Sequence, residues 1–464
     1  MTEAPAAPDV AAVILAAGQG TRFRSDTAKV LHRAAGRTLL RHVLEAVRPL
    51  GVGQVVVVVG HQAEQVTAEV DAAGLDATTV VQHDQRGTGH AVQQAMPALT
   101  DGIRRVLVLP GDTPLLTPEV LAGLFAATET DPAAMLTMQL TDPTGYGRVI
   151  RGDDGGVDRV VEHGDATPEE RAVSEANAGM YLASRALLTA ALGRLDDDNA
   201  QGELYLTDVV AILRGDGHRV VPVDAPERAV AGVNDRAQLA DAAAELRRRH
   251  LDHLMREVGV TVVDPATTYL DVDVEVARDA TLLPGTILEQ GTRIGEGAVV
   301  GPNTHLTACT VGVGATVHST RGTEAAIGDA ATVGPFAHLR AGTRLGHASK
   351  VGAYVETKNV TVGERSKLPH LAYVGDATVG REVNLACGVI TVNYDGRDKH
   401  HTTIEDGAFV GCDTMLVAPV TIGEHAYTAA GSTITEDVPP DALAIARARQ
   451  TVKEGWARRR REGG

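Results

Sequence analysis

A chain of 464 residues is long enough for about three domains of ordinary size. Its 43 Lys and Arg against 60 Asp and Glu give a net charge of −17, which excludes the extended basic surface of a general nucleic-acid binder. A hydrophobic content of 44% excludes disorder as the main state. Because the chain has only four Phe, eight Tyr and one Trp beside 50 Gly, we expect cores built from aliphatic side chains.

Three cysteines, Cys309, Cys387 and Cys412, are too scattered for a disulfide framework. They predict a reducing, cytoplasmic location. The N-terminus lacks a basic region before its apolar stretch, so we expect no signal peptide. Since no run of eighteen apolar residues occurs, we also expect no membrane span.

Apolar, strand-like runs alternate with helix-like stretches from Val10 to about Gly232. This alternation predicts strands buried on both faces of a parallel α/β sheet. The clearest runs are Val10–Ala17, Val55–Gly60, Thr78–Val81 and Val106–Pro110.

A different pattern follows between Asn234 and about Val258, where leucines recur at roughly heptad spacing without Gly or Pro. It predicts an amphipathic helix. This helix is either a connection between domains or a last helix packed on the first domain.

Beyond Gly259 the aliphatic residues recur every six positions, and several are followed by Gly. Neither a helix nor a single strand has this period, whereas a parallel β-helix does, with one aliphatic pointing inward from each short strand. The series is Val276, Leu282, Leu288, Ile294, Val300 and Leu306, then Ile327, Val333, Leu339, Leu345 and Val351, then Ile404, Val410, Leu416, Ile422 and Ile434, with a polar Thr428 in the last run.

A glycine-rich turn, LAAGQGTR, ends the first predicted strand and comes shortly before KVLH. Such a turn lets backbone N–H groups approach a phosphate, although it also serves ordinary strand–helix packing. It is neither a Walker A loop nor a GxGxxG fingerprint. Gln82 with GTGH, Gly111-Asp112 after a strand, Asn177 and Asn234 add polar groups suited to a nucleotide site.

The motifs LxxGxGTR, QxxxxGTGHA, GDTPLL, DPTGYGR, VEH, QGELYLTD and GVNDR occur in the order found in sugar-1-phosphate nucleotidyltransferases. Over essentially its full length the chain resembles the bifunctional N-acetylglucosamine-1-phosphate uridyltransferase/glucosamine-1-phosphate acetyltransferase family. The resemblance implies a Rossmann-like uridyltransferase domain at 1–236, a helical linker at 237–257, and at 258–464 a left-handed β-helix acetyltransferase domain with a C-terminal tail.

The same resemblance implies roles in the first domain. Leu15, Ala16, Ala17, Gly18, Arg22 and Lys29 would surround the nucleotide and its phosphates. Gln82 would bind uracil, with Gly87, Thr88 and Gly111 beside it. Mg²⁺ would be held by Asp112 and Asn234. The sugar would be contacted by Gly147, Glu162 and Asn177. From the residues alone there are alternatives: a helix cap at Asp112, a turn at Asn234 and a solvated strand end at Glu162. Two departures from the family are Ala28, where Pro is usual, and Pro110 before Gly-Asp.

Between Gly334 and His401 the solenoid carries nine Lys and Arg against six Asp and Glu, a local reversal of sign that favours an anionic ligand. A solvated mixed face is the alternative. The resemblance implies that His370 is the general base for the substrate amine, and that Arg340, Lys358, Tyr373, Asn384 and Lys399 hold glucosamine 1-phosphate. It assigns acetyl-CoA contacts to Cys387, Asn393, Tyr394, Cys412, Ala430 and Arg447.

The family's partners are glucosamine 1-phosphate, N-acetylglucosamine 1-phosphate, UTP and acetyl-CoA, with Mg²⁺ as cofactor and a homotrimeric assembly. The minor departures Ala341 and Asn359 touch none of these roles, and the basic end Arg458–Arg461 is expected to be a solvated tail. Three alternatives stay open. They are a nucleophilic Cys387 or Cys412, a nucleotidyltransferase whose solenoid only oligomerises or regulates, and a non-catalytic scaffold.

Overall fold

The computed structural model describes residues 7–463, and the chain divides into two compact units, 1–246 and 247–464. The strands of the first unit are β1 Val10–Ala16, β2 Arg33–Ala34, β3 Arg37–Thr38, β4 Gln54–Val59, β5 Ala77–Val81, β6 Arg105–Pro110, β7 Ala133–Gln139, β8 Arg148–Arg151, β9 Val157–Val161, β10 Glu175–Ser184 and β11 Val220–Asp224. Its helices are α1 Leu39–Val47, α2 Ala63–Ala72, α3 Thr88–Ala95, α4 Pro118–Ala127, α5 Pro168–Arg171, α6 Arg185–Leu192, α7 Asp208–Gly215 and α8 Glu227–Val230.

The main sheet has the order β11-β7-β10-β6-β1-β4-β5, and the β8–β9 hairpin extends it beside β10. The central strand β1 pairs in parallel with β4 and β6, and all three are almost wholly buried. Separate apolar clusters cover the two faces of the sheet. The predicted α/β class and the four strands named from the sequence are confirmed.

The sheet is mixed, so the expectation of a parallel sheet was wrong for β9 and β10. β10 runs antiparallel to both β6 and β7. The chain leaves the carboxyl end of β7 through the β8–β9 hairpin and re-enters the sheet from that same edge. As a result Asn177, near the start of β10, lies at the edge where β6 ends.

The predicted helix after Asn234 is present as α9, Arg236–His253. It continues into a π-helical turn, Leu254–Val258, and Gly259 follows with a φ of 86°. The division between the two compact units falls within α9. Within residues 7–463, no helix combines the length and apolar character needed to cross a bilayer.

The second unit is a parallel β-helix of short strands followed by a short helix, α10 Trp456–Arg461. Its strands are β12 Thr261–Val262, β13 Tyr269–Leu270, β14 Glu275–Val276, β15 Thr281–Leu282, β16 Ile287–Glu289, β17 Arg293–Ile294, β18 Val299–Val300, β19 His305–Thr307, β20 Thr310–Val311, β21 Thr316–Val317, β22 Arg321–Thr323, β23 Ala326–Ile327, β24 Thr332–Val333, β25 His338–Leu339, β26 Thr343–Leu345, β27 Lys350–Ala353, β28 Glu356–Val362, β29 Lys367–His370, β30 Tyr373–Val379, β31 Asn384–Leu385, β32 Ile390–Val392, β33 Thr402–Ile404, β34 Phe409–Val410, β35 Met415–Val417, β36 Val420–Ile422, β37 Tyr427–Thr428, β38 Thr433–Ile434 and β39 Leu443–Ala444.

Each strand of this unit pairs with the strand one coil further along, which is the register a β-helix requires. Thr332 lies opposite Lys350, and Lys350 lies opposite Lys367. Every aliphatic of the predicted six-residue series is buried and belongs to one continuous core. Thr428, the polar exception, is buried too, and its hydroxyl lies 3.4 Å from that of Thr414.

Glycines at one corner of the solenoid allow successive coils to approach each other closely. A Cβ atom placed on any of them would lie within 3 Å of backbone atoms in the next coil, so a methyl group does not fit there without movement. Aliphatic residues precede them in the sequence and point into the core. These glycines are Gly295, Gly312, Gly328, Gly346 and Gly363.

Gly328→Ala is expected to destabilise the second unit by about 1–3 kcal/mol, the usual cost of overpacking. The added Cβ would lie 2.6 Å from the carbonyl oxygen of Leu345. Calorimetric unfolding of the full chain measures the change. Gly102→Ala is the control, since a Cβ at Gly102 meets no atom within 4 Å. Equal melting of the two variants would contradict this account of the corner.

Candidate functional sites

A cavity of about 560 Å³ opens at the carboxyl ends of β1 and β5 in the first unit. Five residues expected to surround the nucleotide line it: Ala17, Gly18, Gln82, Gly87 and Thr88. Gln19, Gly20, Thr21, Gln85, Ala91 and Glu203 complete the lining. Leu15 and Ala16 lie instead in β1 and do not line the cavity, but the Leu15 carbonyl accepts a 2.9 Å hydrogen bond from the Gly111 amide.

Backbone geometry explains one glycine of this cavity. Gly87 has a φ of 105°, and a Cβ on it would lie 2.7 Å from the carbonyl oxygen of Leu204. Gln82 is buried, and its amide nitrogen donates to the Gly87 carbonyl at 3.1 Å. The opposite wall is tied to β1 because the Gln85 side chain donates to the Ala17 carbonyl at 2.8 Å. These contacts hold an amide side chain and open backbone around a space suited to a planar base.

Lys29 joins the two residues expected to bind a metal. Its ammonium forms an ion pair with the Asp112 carboxylate and donates to the Asn234 amide oxygen at 2.9 Å. Arg22 donates to the same oxygen, also at 2.9 Å. Asp112 does not cap the following helix, because α4 begins at Pro118 after Thr117. The side chain of Asn234 is likewise engaged by cations from residues more than 200 positions away.

Mg²⁺ fits this donor set in its chemistry. Asp112 and Asn234 present a carboxylate and an amide oxygen that already share one cation, the Lys29 ammonium. Hard oxygen ligands of this kind, completed by water and phosphate oxygens, suit Mg²⁺. Within residues 7–463 no group of three or more His, Cys, Asp or Glu forms a metal cluster, so a site here would depend on oxygens from the nucleotide.

The expected sugar contacts gather around Glu162, just after β9. The Asn177 amide donates to the Gly147 carbonyl at 2.9 Å, and a Cβ on Gly147 would lie 3.4 Å from a Glu162 carboxylate oxygen. Thr207 donates to that carboxylate at 3.1 Å. Burial, with smaller contributions from neighbouring carboxylates, raises the pKa of Glu162 above its ordinary value despite this hydrogen bond. Glu162 is therefore not a strand end in free solvent.

The segment Glu203–Thr207 connects the nucleotide cavity to a second cavity of about 430 Å³ that Glu162 and Tyr205 line, and sequence reasoning assigned this segment no role. Glu203 lines the cavity, and the Leu206 amide donates to the Thr88 hydroxyl at 3.2 Å. Among residues 7–463, the buried hydroxyl of Tyr205, which lines the same cavity as Glu162, has no hydrogen-bond partner, and this suits a polar ligand there. The motif QGELYLTD contains the segment and was the available signal.

The two departures from the family motifs both fit the structure. Ala28 has a φ of −53°, which proline also adopts, but its amide donates to the Gln62 side chain at 2.8 Å, a bond that proline would lack. Pro110 ends β6 opposite the irregular part of β10, where Gly179 has a φ of 75°. The broken register leaves room for a residue without an amide proton.

The second unit places His370 in a column of residues that occupy the same position on successive coils. Asn384 pairs with Lys367 and with Phe409, and this register puts Cys387 next to His370 and Cys412 next to Cys387. Ala430 follows on the next coil. Arg447 lies against the adjacent turn, since a Cβ on Gly431 would lie 3.7 Å from its Cδ. His370 is exposed, and among the described residues its imidazole has no hydrogen-bond partner.

Cationic side chains form a cluster on a neighbouring face. Arg340 and Lys358 lie on adjacent coils, and Arg340 pairs with Glu356 at 2.8 Å. The loop 393–401 brings Lys399 to Lys358. Hydrogen-bond contact with the Lys399 ammonium, together with its like charge, holds the pKa of Lys358 below its ordinary value. Two ammonium groups in contact favour an anion that neutralises both.

The carboxylate of Asp376, which the sequence analysis did not single out, holds the start of the loop 393–401 in place. Asp376 accepts hydrogen bonds from Asn359 at 2.7 Å and from Asn393 at 2.5 Å. Burial works to raise the pKa of Asp376, but these hydrogen bonds and the charges of Lys399 and Lys358 outweigh it, so the pKa is lowered. Asn393 also lies 3.5 Å from the Tyr373 hydroxyl. Tyr394 is exposed, and its hydroxyl donates to the Gly396 carbonyl.

Comparisons with known proteins give matches in both units of the chain. A family model for the MobA-like NTP transferase domain matches residues 12–257, and the bacterial transferase hexapeptide model (six repeats) matches residues 401–436. The hexapeptide match identifies the solenoid as the left-handed β-helix class. Three proteins named bifunctional protein GlmU are similar over 98% of this chain. They come from Mycolicibacterium vanbaalenii (51% identity, 94% of that protein), Streptomyces avermitilis (52%, 95%) and Thermobifida fusca (52%, 95%).

Glu162→Gln is expected to gain stability relative to the natural chain as the pH rises from 4.5 to neutrality. Because the folded state raises the pKa of Glu162, it binds this proton more tightly than the unfolded chain does, and ionisation at higher pH then disfavours folding. Glutamine does not ionise. Denaturant unfolding of the first unit at both pH values measures the difference.

Glu129→Gln, at an exposed position, is the control and should follow the natural chain at every pH. A stability difference for Glu162→Gln that stays constant with pH would contradict the raised pKa.

Proposed function

The chain belongs to the bifunctional GlmU family, and from this premise we propose how its two units divide the synthesis of UDP-N-acetylglucosamine. The second unit transfers an acetyl group from acetyl-CoA to glucosamine 1-phosphate. The first unit joins the resulting N-acetylglucosamine 1-phosphate to UTP and releases pyrophosphate. The proposal rests on the presence of two sites in one chain. The first unit has a nucleotide-sized cavity beside Lys29, Asp112 and Asn234. The second unit has the cationic cluster of Lys358 and Lys399 together with His370, whose imidazole has no partner among the described residues.

In the acetyl transfer, the phosphate of the sugar is bound by Arg340, Lys358 and Lys399. Its negative charge relieves the repulsion among these cations. Tyr373 and Asn384 orient the sugar so that its amine faces His370. The His370 imidazole takes a proton from the ammonium, and the free amine attacks the thioester carbonyl. A backbone amide at Cys387 donates to the developing oxyanion. Collapse of that intermediate breaks the C–S bond and forms the amide, and the proton lost from the nitrogen passes to the leaving CoA thiolate.

Acetyl-CoA lies along the column Cys387, Cys412 and Ala430, between the loop residues Asn393 and Tyr394 and the side chain of Arg447. Direct attack by the amine needs no acyl-enzyme. The two thiols therefore contact the cofactor and do not serve as nucleophiles.

In the uridylyl transfer, Gln82 binds the uracil edge while Gly87 and Thr88 enclose the nucleoside. Lys29 and Arg22 neutralise charge on the phosphates, and Asp112 and Asn234 hold Mg²⁺. When bound, Mg²⁺ withdraws charge from the phosphates around the reacting phosphorus. Gly147, Glu162 and Asn177 hold the sugar so that its phosphate oxygen attacks the α-phosphorus in line with the leaving pyrophosphate.

We further propose a homotrimer assembled through the solenoids, in the cytoplasm. Stacked, exposed rings of Phe336 and Tyr354, 5.3 Å apart, continue to an exposed Leu371 directly beside His370. An exposed apolar ladder of this kind suits contact with a second copy of the chain. The β-helix of that copy would then lie next to the acetyl site. The cytoplasmic location is supported by the three cysteines, all of which are unpaired.

His370→Ala is expected to lower CoA release from acetyl-CoA and glucosamine 1-phosphate by about 10²-fold or more, because the amine then lacks its base. Pyrophosphate release from UTP and supplied N-acetylglucosamine 1-phosphate should stay at the natural level. Asp112→Ala should give the reverse pattern. Thiol release and pyrophosphate release are followed separately on the purified full chain with Mg²⁺.

His347→Ala and Asp101→Ala, both at exposed positions, are the matched controls and should keep both activities. If the natural chain released pyrophosphate but no CoA, it would be a nucleotidyltransferase with a structural solenoid. If it released neither product, it would be a non-catalytic scaffold. Loss of both activities in a folded His370→Ala or Asp112→Ala chain would contradict two independent sites.

A further inference from the structure

Cys387 and Cys412 occupy the same position on two successive coils of the solenoid. Leu385 pairs in register with Val410, and the two cysteines follow two residues later on each coil. The Asp413 amide donates to the Cys387 carbonyl at 2.8 Å, which extends the pairing past the strands. Each cysteine precedes a left-handed turn residue, Gly388 with a φ of 77° and Asp413 with a φ of 53°. The two turns are thus stacked copies of each other.

Stacking places the two thiols within reach. Neighbouring parallel strands lie about 4.8 Å apart, and a disulfide joins Cα atoms separated by about 4.4–6.8 Å. Because the coils are in register, both side chains leave the backbone on the same side. The spacing of the coils already lies in the range that a disulfide spans, so a bond between the two sulfurs needs only rotation of the two side chains.

The surroundings of the pair differ from those of the third cysteine. Cys412 is exposed and Cys387 is half-buried, whereas Cys309 is buried and its thiol contacts the Thr307 carbonyl at 3.4 Å. His370 occupies the same position on the coil before Cys387. Cys387 therefore lies next to the residue proposed as the base for acetyl transfer, and Cys412 lies one coil further along.

We propose that Cys387 and Cys412 form a peroxide-sensitive dithiol that closes to a disulfide. The exposed Cys412 thiolate attacks hydrogen peroxide, the O–O bond breaks, and sulfenic acid forms with release of one water after proton uptake. The Cys387 thiolate then displaces hydroxide from that sulfur, which leaves as a second water. Two thiols are oxidised to one disulfide and one peroxide is reduced to two waters.

Closure changes the acetyl half alone. The disulfide turns both sulfurs toward each other and so changes the wall of the acetyl-CoA column next to His370, and misplacement of a reacting group by about 1 Å can cost 10²-fold in rate. The first unit contains none of the three cysteines, so its chemistry is untouched. This consequence rests on the proposed function, whereas formation of the disulfide does not.

The test treats the purified full chain with hydrogen peroxide and then measures intact mass, disulfide-linked peptides and both activities. We expect the loss of two hydrogens, a peptide pair joining Cys387 to Cys412, and CoA release lowered by at least about tenfold. Pyrophosphate release should be unchanged, and a thiol reductant should restore CoA release.

Cys309→Ser is the matched control and should keep the peroxide response in full. Cys412→Ser cannot lose the two hydrogens, and its CoA release should be the same before and after a brief exposure that inactivates the natural chain. Absence of the disulfide, or one that involves Cys309, overturns the proposal. A Cys387–Cys412 disulfide that leaves CoA release unchanged overturns its functional part. A chain with no CoA release before oxidation refutes the proposed acetyl transfer, and the peptide masses still decide the dithiol.

Discussion

Register between parallel strands is the constraint on which both units depend. In the first unit, pairing of β1 with β4 and β6 ends three buried strands at one edge, where backbone and polar side chains from distant parts of the chain meet. In the solenoid, coil-on-coil register converts a short sequence period into columns of side chains. His370, Cys387 and Cys412 are neighbours only because each coil repeats the path of the one before. A slip of one residue would turn core aliphatics outward and scatter these columns.

Charge explains how an acidic chain can process phosphorylated substrates. The net charge of −17 is a property of the whole chain, while the two sites concentrate cations locally. Lys29 is held between an acid and an amide, and Lys358 and Lys399 are held against each other. Two cations that repel each other, as Lys358 and Lys399 do, gain from meeting a phosphate that neutralises both. The arrangement favours small anions inside pockets over extended polyanions.

Features governed by periodicity were predictable from the sequence, and features governed by chain direction or loop length were not. Val333 and the other aliphatic residues of the six-residue series are buried as expected, because the interior of a β-helix accepts one aliphatic side chain from each short strand. The antiparallel direction of β10 could not be read, since its apolar pattern is the same in either direction. The Cys387–Cys412 column was hidden because the coil from Asn384 to Phe409 has 25 residues, whereas that from Lys367 to Asn384 has 17. The individual site roles come from motif resemblance and stay proposals.

Hydrogen–deuterium exchange with each substrate in turn tests the central claim, that one chain carries two separate sites, most directly. UTP with Mg²⁺ should slow exchange at residues 15–22 and 82–88 and leave residues 367–399 unchanged. Acetyl-CoA should slow exchange at residues 387–394 and leave the first two segments unchanged. If either ligand protected both sets of segments equally, or if acetyl-CoA protected only residues 15–22, the two-site account would be contradicted.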